Sequence, residues 1–254
     1  VAKALGATTL KPEKSTNVSV GLTLQPNDVT SITLDAYQIR IKDRIAQTGY
    51  LGGTAQINAI LAAAGLATNQ SVTYFTNALD TTTRGIDLVG DYRQDLGAWG
   101  GLRYTLGFNW NTTEIDDIHA SSVARQALGP TGGYDRQRQG NLKHGLPESK
   151  LLLGATWTFD KLDLSLNLTR YGEYTQYGTL EAYDRTFSPA WITDLNLDYH
   201  LTPALTLTAG ANNLFNQYPE RTNLPSSSGA FPYGNFSPYG TTGGYWYTGL
   251  SYNF

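Results

Sequence analysis

The run LLLGATWTFDKLDLSLNLT, from Leu151 to Thr169, decides the architecture of this chain. Leu151, Leu153, Ala155, Trp157 and Phe159 are apolar at every second position. A break at Asp160-Lys161 follows, and the apolar positions resume at Leu162, Leu164, Leu166 and Leu168. Successive side chains of an extended strand point to opposite faces, so the run reads as a hairpin with one apolar face. Its other face carries Asp163, Ser165, Asn167 and Thr169, which are short and mostly uncharged.

The same alternation recurs on both sides of this hairpin. It is present in Val18 to Leu24, Leu102 to Trp110, Trp191 to Leu201, Leu205 to Ala211 and Trp246 to Phe254. Over the seven segments 31 of 33 positions on the chosen face are apolar, where a composition 40% hydrophobic gives about 13, so the pattern is not compositional accident. Val29 to Lys42 and Val72 to Arg93 are less regular strands. In the first the apolar set jumps from Ile32, Leu34, Ala36 to Tyr37, Ile39, Ile41, which predicts a bulge at Ala36-Tyr37. About nine strands result.

Composition narrows the class. Of 254 residues only 15% are charged, with Lys+Arg 18 against Asp+Glu 21, while Gly 27 and Tyr 17 are abundant. Soluble domains average about 25% charge, so many neutral polar groups must face something other than bulk water. The absence of cysteine excludes disulfides, thiolate metal sites and a thiol nucleophile. A net charge of −3 with no basic run argues against nucleic acid. No apolar stretch reaches the roughly 18 residues of a membrane helix, and Val1 to Leu10 lacks the apolar core of a signal peptide. Gln56 to Ala64, ended by Gly65, reads as a short helix that packs a loop.

Three features place the apolar face in lipid. The opposite faces, such as Asn17, Ser19, Gly21, Thr23 and Thr206, Thr208, Gly210, Asn212, lack the Lys and Glu of a soluble exterior and suit a wet barrel interior. Short connections at 25–28, 95–98, 160–161 and 202–204 alternate with long ones at 42–71, 115–148, 172–189 and 218–243, as short periplasmic turns alternate with long extracellular loops. Trp110, Trp157, Phe159, Trp191, Tyr199, Trp246, Tyr252 and Phe254 lie on the apolar face toward strand ends, where rings settle at headgroup level. The expected fold is all-β, an antiparallel transmembrane β-barrel. Nine strands with open edges in lipid are untenable, so they should be the C-terminal part of a larger, even-stranded barrel.

Four stretches carry a family likeness. Thr9-Leu10-Lys11-Pro12-Glu13-Lys14-Ser15, Tyr74 to Asp80 running on through Thr83 to Leu88, Asn212 to Pro219, and the final strand from Gly244 to Phe254 resemble, in order, segments of TonB-dependent outer-membrane receptors. The resemblance implies a 22-stranded barrel of which residues 1–254 would form the C-terminal portion. It also implies a location in the outer membrane of a Gram-negative bacterium, a plug and further strands outside this sequence, and coupling through the plug to the TonB complex. Energy-coupled uptake of a scarce ligand is the implied function, with a ferric siderophore as the commonest cargo and cobalamin, haem or oligosaccharide as alternatives. No enzyme activity and no cofactor are implied. A passive porin, a barrel hydrolase and a soluble all-β module remain the rival readings.

Candidate sites follow from residue chemistry. Tyr134, Arg136, Arg138, Lys143 and His144 gather rings and cations in the second long loop, where guanidinium groups would suit an anionic chelate. Phe231, Tyr233, Phe236 and Tyr239 in the last loop, with Tyr245 and Tyr247 after it, offer stacking surfaces. Glu114, Asp116, Asp117 and His119 match no calcium-loop spacing, and no metal site is expected there. His119, His144 and His200 are far apart and no nucleophile elbow occurs, so no catalytic residue is assigned. The lumen carboxylates Asp87, Asp91, Asp163, Asp194 and Asp198 are expected to pair with Arg93, Arg103 or Lys150. On the last strand Trp246, Leu250, Tyr252 and Phe254, with the free carboxylate, resemble the signal read by the barrel-assembly machinery.

Overall fold

The structure, a computed structural model, describes residues 1–222 and 232–254. In chain order its elements are β1 (Lys14–Asn27), β2 (Thr30–Gln47), α1 (Ala55–Ala63), β3 (Phe75–Asp95), β4 (Gly101–Ile118), α2 (Ser122–Leu128) and α3 (Arg136–His144). There follow β5 (Ser149–Phe159), β6 (Leu162–Tyr171), β7 (Tyr174–Gln176), β8 (Arg185–Phe187), β9 (Ala190–Thr202), β10 (Leu205–Asn212) and β11 (Tyr245–Tyr252). Nine strands form one antiparallel meander in the order β1-β2-β3-β4-β5-β6-β9-β10-β11, and β7 and β8 make a separate small hairpin. Among the described residues no helix is long and apolar enough to cross a membrane.

The register sorts side chains as the alternation predicts. One continuous row runs Val20, Ala36, Ile86, Trp110; another runs Leu102, Trp157, Leu164, Leu197, Ala209, Thr248. These residues, apolar except for Thr248, all share the outer face. The other face collects Gly21, Asp35, Asp87 and Asn109, and further round Ser165, Asn196, Gly210 and Tyr247. Rings close the apolar band near the short turns: Tyr92 stacks on Tyr104 at 6.0 Å, Trp157 on Phe159 at 5.6 Å, and the Trp157 indole N–H donates to the Trp99 carbonyl at 2.8 Å. An aromatic girdle at the band's edge is what the headgroup zone selects.

The bulge expected at Ala36-Tyr37 is absent. Register between β1 and β2 is unbroken from Leu24 opposite Ile32 to Lys14 opposite Lys42, so Tyr37, Ile39 and Ile41 lie on the lumen face. Apolarity misleads there because Tyr37 has a polar end: its ring lies over Gly85 on the neighbouring strand and its hydroxyl accepts from Asn109 at 3.3 Å, one strand further. Tyr247 repeats the device over Gly210, donating to Asn196 at 2.9 Å. A glycine opposite each tyrosine leaves the ring room to lie flat. The register breaks fall higher, between Ile41 and Ile45, where Asp43 takes a positive φ of 55°.

Strands also rise further than their apolar patterns. β2 continues to Gln47 and β4 to Ile118, so part of what the sequence assigned to the first two long loops is sheet extending past the apolar band. The helix expected at Gln56 to Ala64 is α1, shifted by one residue and capped by Thr54, whose hydroxyl accepts from Ile57 N–H. It packs the loop as expected, with Ile57 and Leu61 buried against Leu5 and Leu51.

Candidate functional site

The long connections lie at one end of the sheet, and three of them are built rather than slack. α2 and α3 in the second loop are capped by Ser121 and Asp135, whose side chains accept from the Ala124 and Arg138 N–H groups at 3.0 and 2.9 Å. Satisfying otherwise unpaired N–H groups fixes where each short helix starts. In the third loop, Tyr174 of β7 stacks on Phe187 of β8 at 4.6 Å, and burial pushes the Tyr174 hydroxyl up to about 12.

Arg136 fastens the second loop to the third. Its guanidinium donates to both carboxylate oxygens of Asp184, one at 2.9 Å, and lies 5.1 Å from the centre of the Tyr177 ring. The Asn141 side chain accepts from Tyr177 N–H at 2.7 Å, and Gly140 abuts the same ring. Arg136 holds Asp184 below the usual carboxylate range, chiefly through the hydrogen bond. The third and fourth loops are joined likewise: Glu220 accepts from Ser188 N–H at 2.8 Å and from Arg185 at 3.0 Å, and these bonds lower its pKa. The loops therefore form a connected cap.

The predicted residues divide within this cap. Tyr134 is 7% exposed and packs with Ala78 and Leu79, so it supports the cap from beneath. Arg138, its side chain 20% exposed and 3.8 Å from the Asp135 carboxylate, lies 5.4 Å from the ring centre of Tyr50, which is 71% exposed. His144 contacts Glu148 at 3.2 Å and, with Tyr177, Trp110 and Glu173, lines a cleft of about 420 Å³. Lys143 lines a second cleft of about 660 Å³ together with Glu114, Asp116, Asp117, Arg125 and Gln139. Tyr233 stacks on Tyr218 at 6.2 Å and Tyr239 packs on Tyr171 at 5.8 Å. Phe231 lies outside the described residues. Tyr245 and Tyr247 are on the lumen face of β11.

The acidic stretch is strand rather than loop. Glu114 pairs with Arg84 at 3.1 Å, Asp116 accepts from Thr82 at 2.7 Å, and His119 contacts Asp80 at 3.0 Å. Among the described residues no cluster of three or more His, Asp or Glu is placed to hold a metal ion. Lower on the lumen wall, Arg103 donates to Asp91 at 2.5 Å as expected, but Lys150 lies over the Tyr171 ring instead of pairing with a carboxylate. His200 bridges Asp163 and Thr206, each at 2.9 Å, and ties three strands together.

Sequence reading missed the groups that receive these side chains: Tyr50, Tyr177 and Asp184. It also missed what the N-terminal motif does. Asn77 accepts from Lys11 N–H at 2.8 Å and donates to the Lys11 and Asp43 carbonyls, while the Glu13 carboxylate accepts from Ile45 N–H at 2.6 Å. Two motifs distant in sequence thus lock the lead-in of β1 to the irregular tops of β2 and β3.

Comparison with known proteins agrees with this architecture. The family model described as TonB dependent receptor-like, beta-barrel matches residues 1–214. No curated protein matches the sequence. Among solved structures, a variant of the ferric enterobactin receptor of Pseudomonas aeruginosa superposes with a TM-score of 0.64 at 20% identity, covering 96% of this chain and 32% of that one. The FrpB iron transporter of Neisseria meningitidis gives 0.59 at 15% identity over 97% and 32%, and the copper transporter OprC gives 0.62 at 16% over 97% and 32%. The chain spans about a third of the length of these structures. Its meander, its two-faced strands and the matched family together show that the chain belongs to the TonB-dependent receptors and forms part of their β-barrel.

Proposed function

We propose that this chain is wall and extracellular cap of an energy-coupled receptor in the outer membrane of a Gram-negative bacterium. Its cargo is a scarce small molecule, first among them a ferric siderophore. The observation that carries the reading is the joining of long loops, through Arg136–Asp184 and Glu220–Arg185, into one cap at one end of a wall with a polar lumen face. A passive pore has no use for a fastened cap, whereas a receptor needs a preorganised surface above its channel. The free edges of β1 and β11 are filled by further strands of the same barrel, and a plug within the lumen contacts the TonB complex.

Ferric chelates come first because the similar solved structures include a ferric enterobactin receptor and an iron transporter. The cap chemistry supports an anionic, ring-bearing ligand. Exposed Tyr50 presents a stacking surface over Arg138, whose charge is shared with Asp135, and Lys143, His144, Tyr233 and Tyr239 add further donors and rings. Phe231 belongs to the same candidate set by sequence. Arg136 is engaged by Asp184, so its role in this reading is to hold the cap together. The outward row Trp246, Leu250, Tyr252 and Phe254 on the last strand serves as the assembly signal.

The test is titration of the full-length receptor in detergent with ferric catecholate, ferric hydroxamate, cobalamin, haem and an oligosaccharide, read by quenching of tryptophan emission. Saturable binding of a ferric chelate, weakened in Arg138→Ala and Tyr50→Ala, is expected. Binding only of cobalamin, haem or sugar would replace the cargo, and no binding of any would remove the receptor reading.

A further inference from the structure

The outer face is not evenly filled. Two neighbouring outward rows cross the interior strands β2 to β6. One runs Ile32, Gly90, Leu106, Leu153, Leu168; the next, two residues closer to the short turns on every strand, runs Thr30, Tyr92, Tyr104, Ala155, Leu166. Between the rows lies an open groove of about 490 Å³. Neighbouring strands lie about 4.8 Å apart, so a groove across five of them is about 19 Å long.

Gly90 opens this groove, and the protein's own packing does not require a glycine there. Its φ is not positive, and a Cβ would meet only Leu106, at 3.5 Å. Gly85, on the lumen face of the same strand, differs: a Cβ there would lie 2.4 Å from the Tyr37 ring that occupies its space. Among the described residues nothing fills the gap at Gly90.

The two ends of the groove differ in height and in chemistry. Thr30 lies two residues from the turn at Asp28 and Tyr92 three from Asp95, whereas Leu168 stands seven residues above Lys161. The low end carries the hydroxyls of Thr30, Tyr92 and Tyr104, none of which has a hydrogen-bond partner among the described residues, although the two rings stack at 6.0 Å. The high end, Leu153, Ala155, Leu166 and Leu168, is wholly aliphatic.

We infer that the groove holds one acyl chain of a phospholipid from the leaflet next to the short turns, whose ester and phosphate oxygens accept from the Tyr92, Tyr104 and Thr30 hydroxyls. Length and polarity select this occupant. With strands tilted about 45°, a groove of that length rises about 13 Å, within the roughly 15 Å of one hydrocarbon leaflet. The hydroxyls sit where rings mark the headgroup zone, so a lipid whose tail fills the gap brings its oxygens to them. A purely apolar filler would leave three donors unanswered.

The test uses the full-length receptor, delipidated in detergent, with its folded barrel verified by heat-dependent gel migration. Retention of dipalmitoyl phosphatidylethanolamine and of hexadecane is measured by native mass spectrometry. The phospholipid should be retained, and Gly90→Leu, which fills the groove, should abolish retention. Tyr92→Phe/Tyr104→Phe should weaken it about three- to tenfold for each hydroxyl lost, and Ala209→Leu, on the outer face of β10, should match the parent. Unchanged retention in Gly90→Leu or in the double phenylalanine variant, hexadecane held as tightly as phospholipid, or a receptor dimer that Gly90→Leu dissociates would each overturn the proposal.

Discussion

Leu166 and Asn167 are neighbours in sequence and should behave oppositely on substitution by arginine. Leu166 lies on the outer face between Ala155 and Leu195, 38% exposed, six residues above the Asp160 turn and so near the middle of the apolar band. Asn167 points to the lumen beside Gly154 and Asp194. A guanidinium at the bilayer midplane of a barrel costs about 2 to 4 kcal/mol, so Leu166→Arg should lower the folding equilibrium about thirty- to several-hundredfold. Asn167→Arg gains water and a facing carboxylate, and should stay within about 0.5 kcal/mol of the parent. The assay is guanidinium unfolding of the full-length receptor refolded into vesicles, followed by tryptophan emission. Equal costs at the two positions, or a larger cost at Asn167, would refute the assignment of faces.

Other expectations test the connections. Asn77→Ala removes three hydrogen bonds that hold the Lys11 and Asp43 backbone, and should destabilise the barrel by about 1 to 3 kcal/mol in the same unfolding assay. Gly85→Val puts a Cβ 2.4 Å from the Tyr37 ring and 2.8 Å from the Trp110 carbonyl, an overpacking worth about 1 to 3 kcal/mol; Gly90→Val, with open contacts of 3.5 Å, should cost less. Asp184 and Glu220 have pKa values below their ordinary ones in the folded cap, so the stability they add is complete above the ordinary carboxylate range and is lost as pH falls through the lowered values. Spin-label distances between the second and third loops should therefore hold at pH 5 and above and broaden well below pH 4; Asp184→Asn should broaden them at neutral pH.

What the sequence made legible, and what it hid, follows from period. Lipid on one side and water on the other impose a two-residue rhythm, so β4 to β6 and β9 to β11 could be read directly, faces included. Where both faces are wet or covered by loops, as in Asp43 to Gln47 and Ile115 to Ile118, no rhythm survives and the upward extensions of β2 and β4 were invisible. Tyr37 was misplaced because a lumen tyrosine counts as apolar although its hydroxyl serves Asn109. Within the cap, Ser121 and Asp135 were available as helix-start signals for α2 and α3, which are too short and, in α3, too polar to declare themselves by pattern. The pairing of Arg136 with Asp184 joins two loops across 48 residues and depends on how they fold together, which no local spacing encodes.

The most direct test of the account is uptake of a labelled ferric chelate by cells carrying the complete receptor, with and without a protonophore. Saturable uptake that stops when the proton gradient is collapsed is the result the account predicts. Uptake that is linear in concentration and indifferent to the protonophore would mean a passive pore and contradict it.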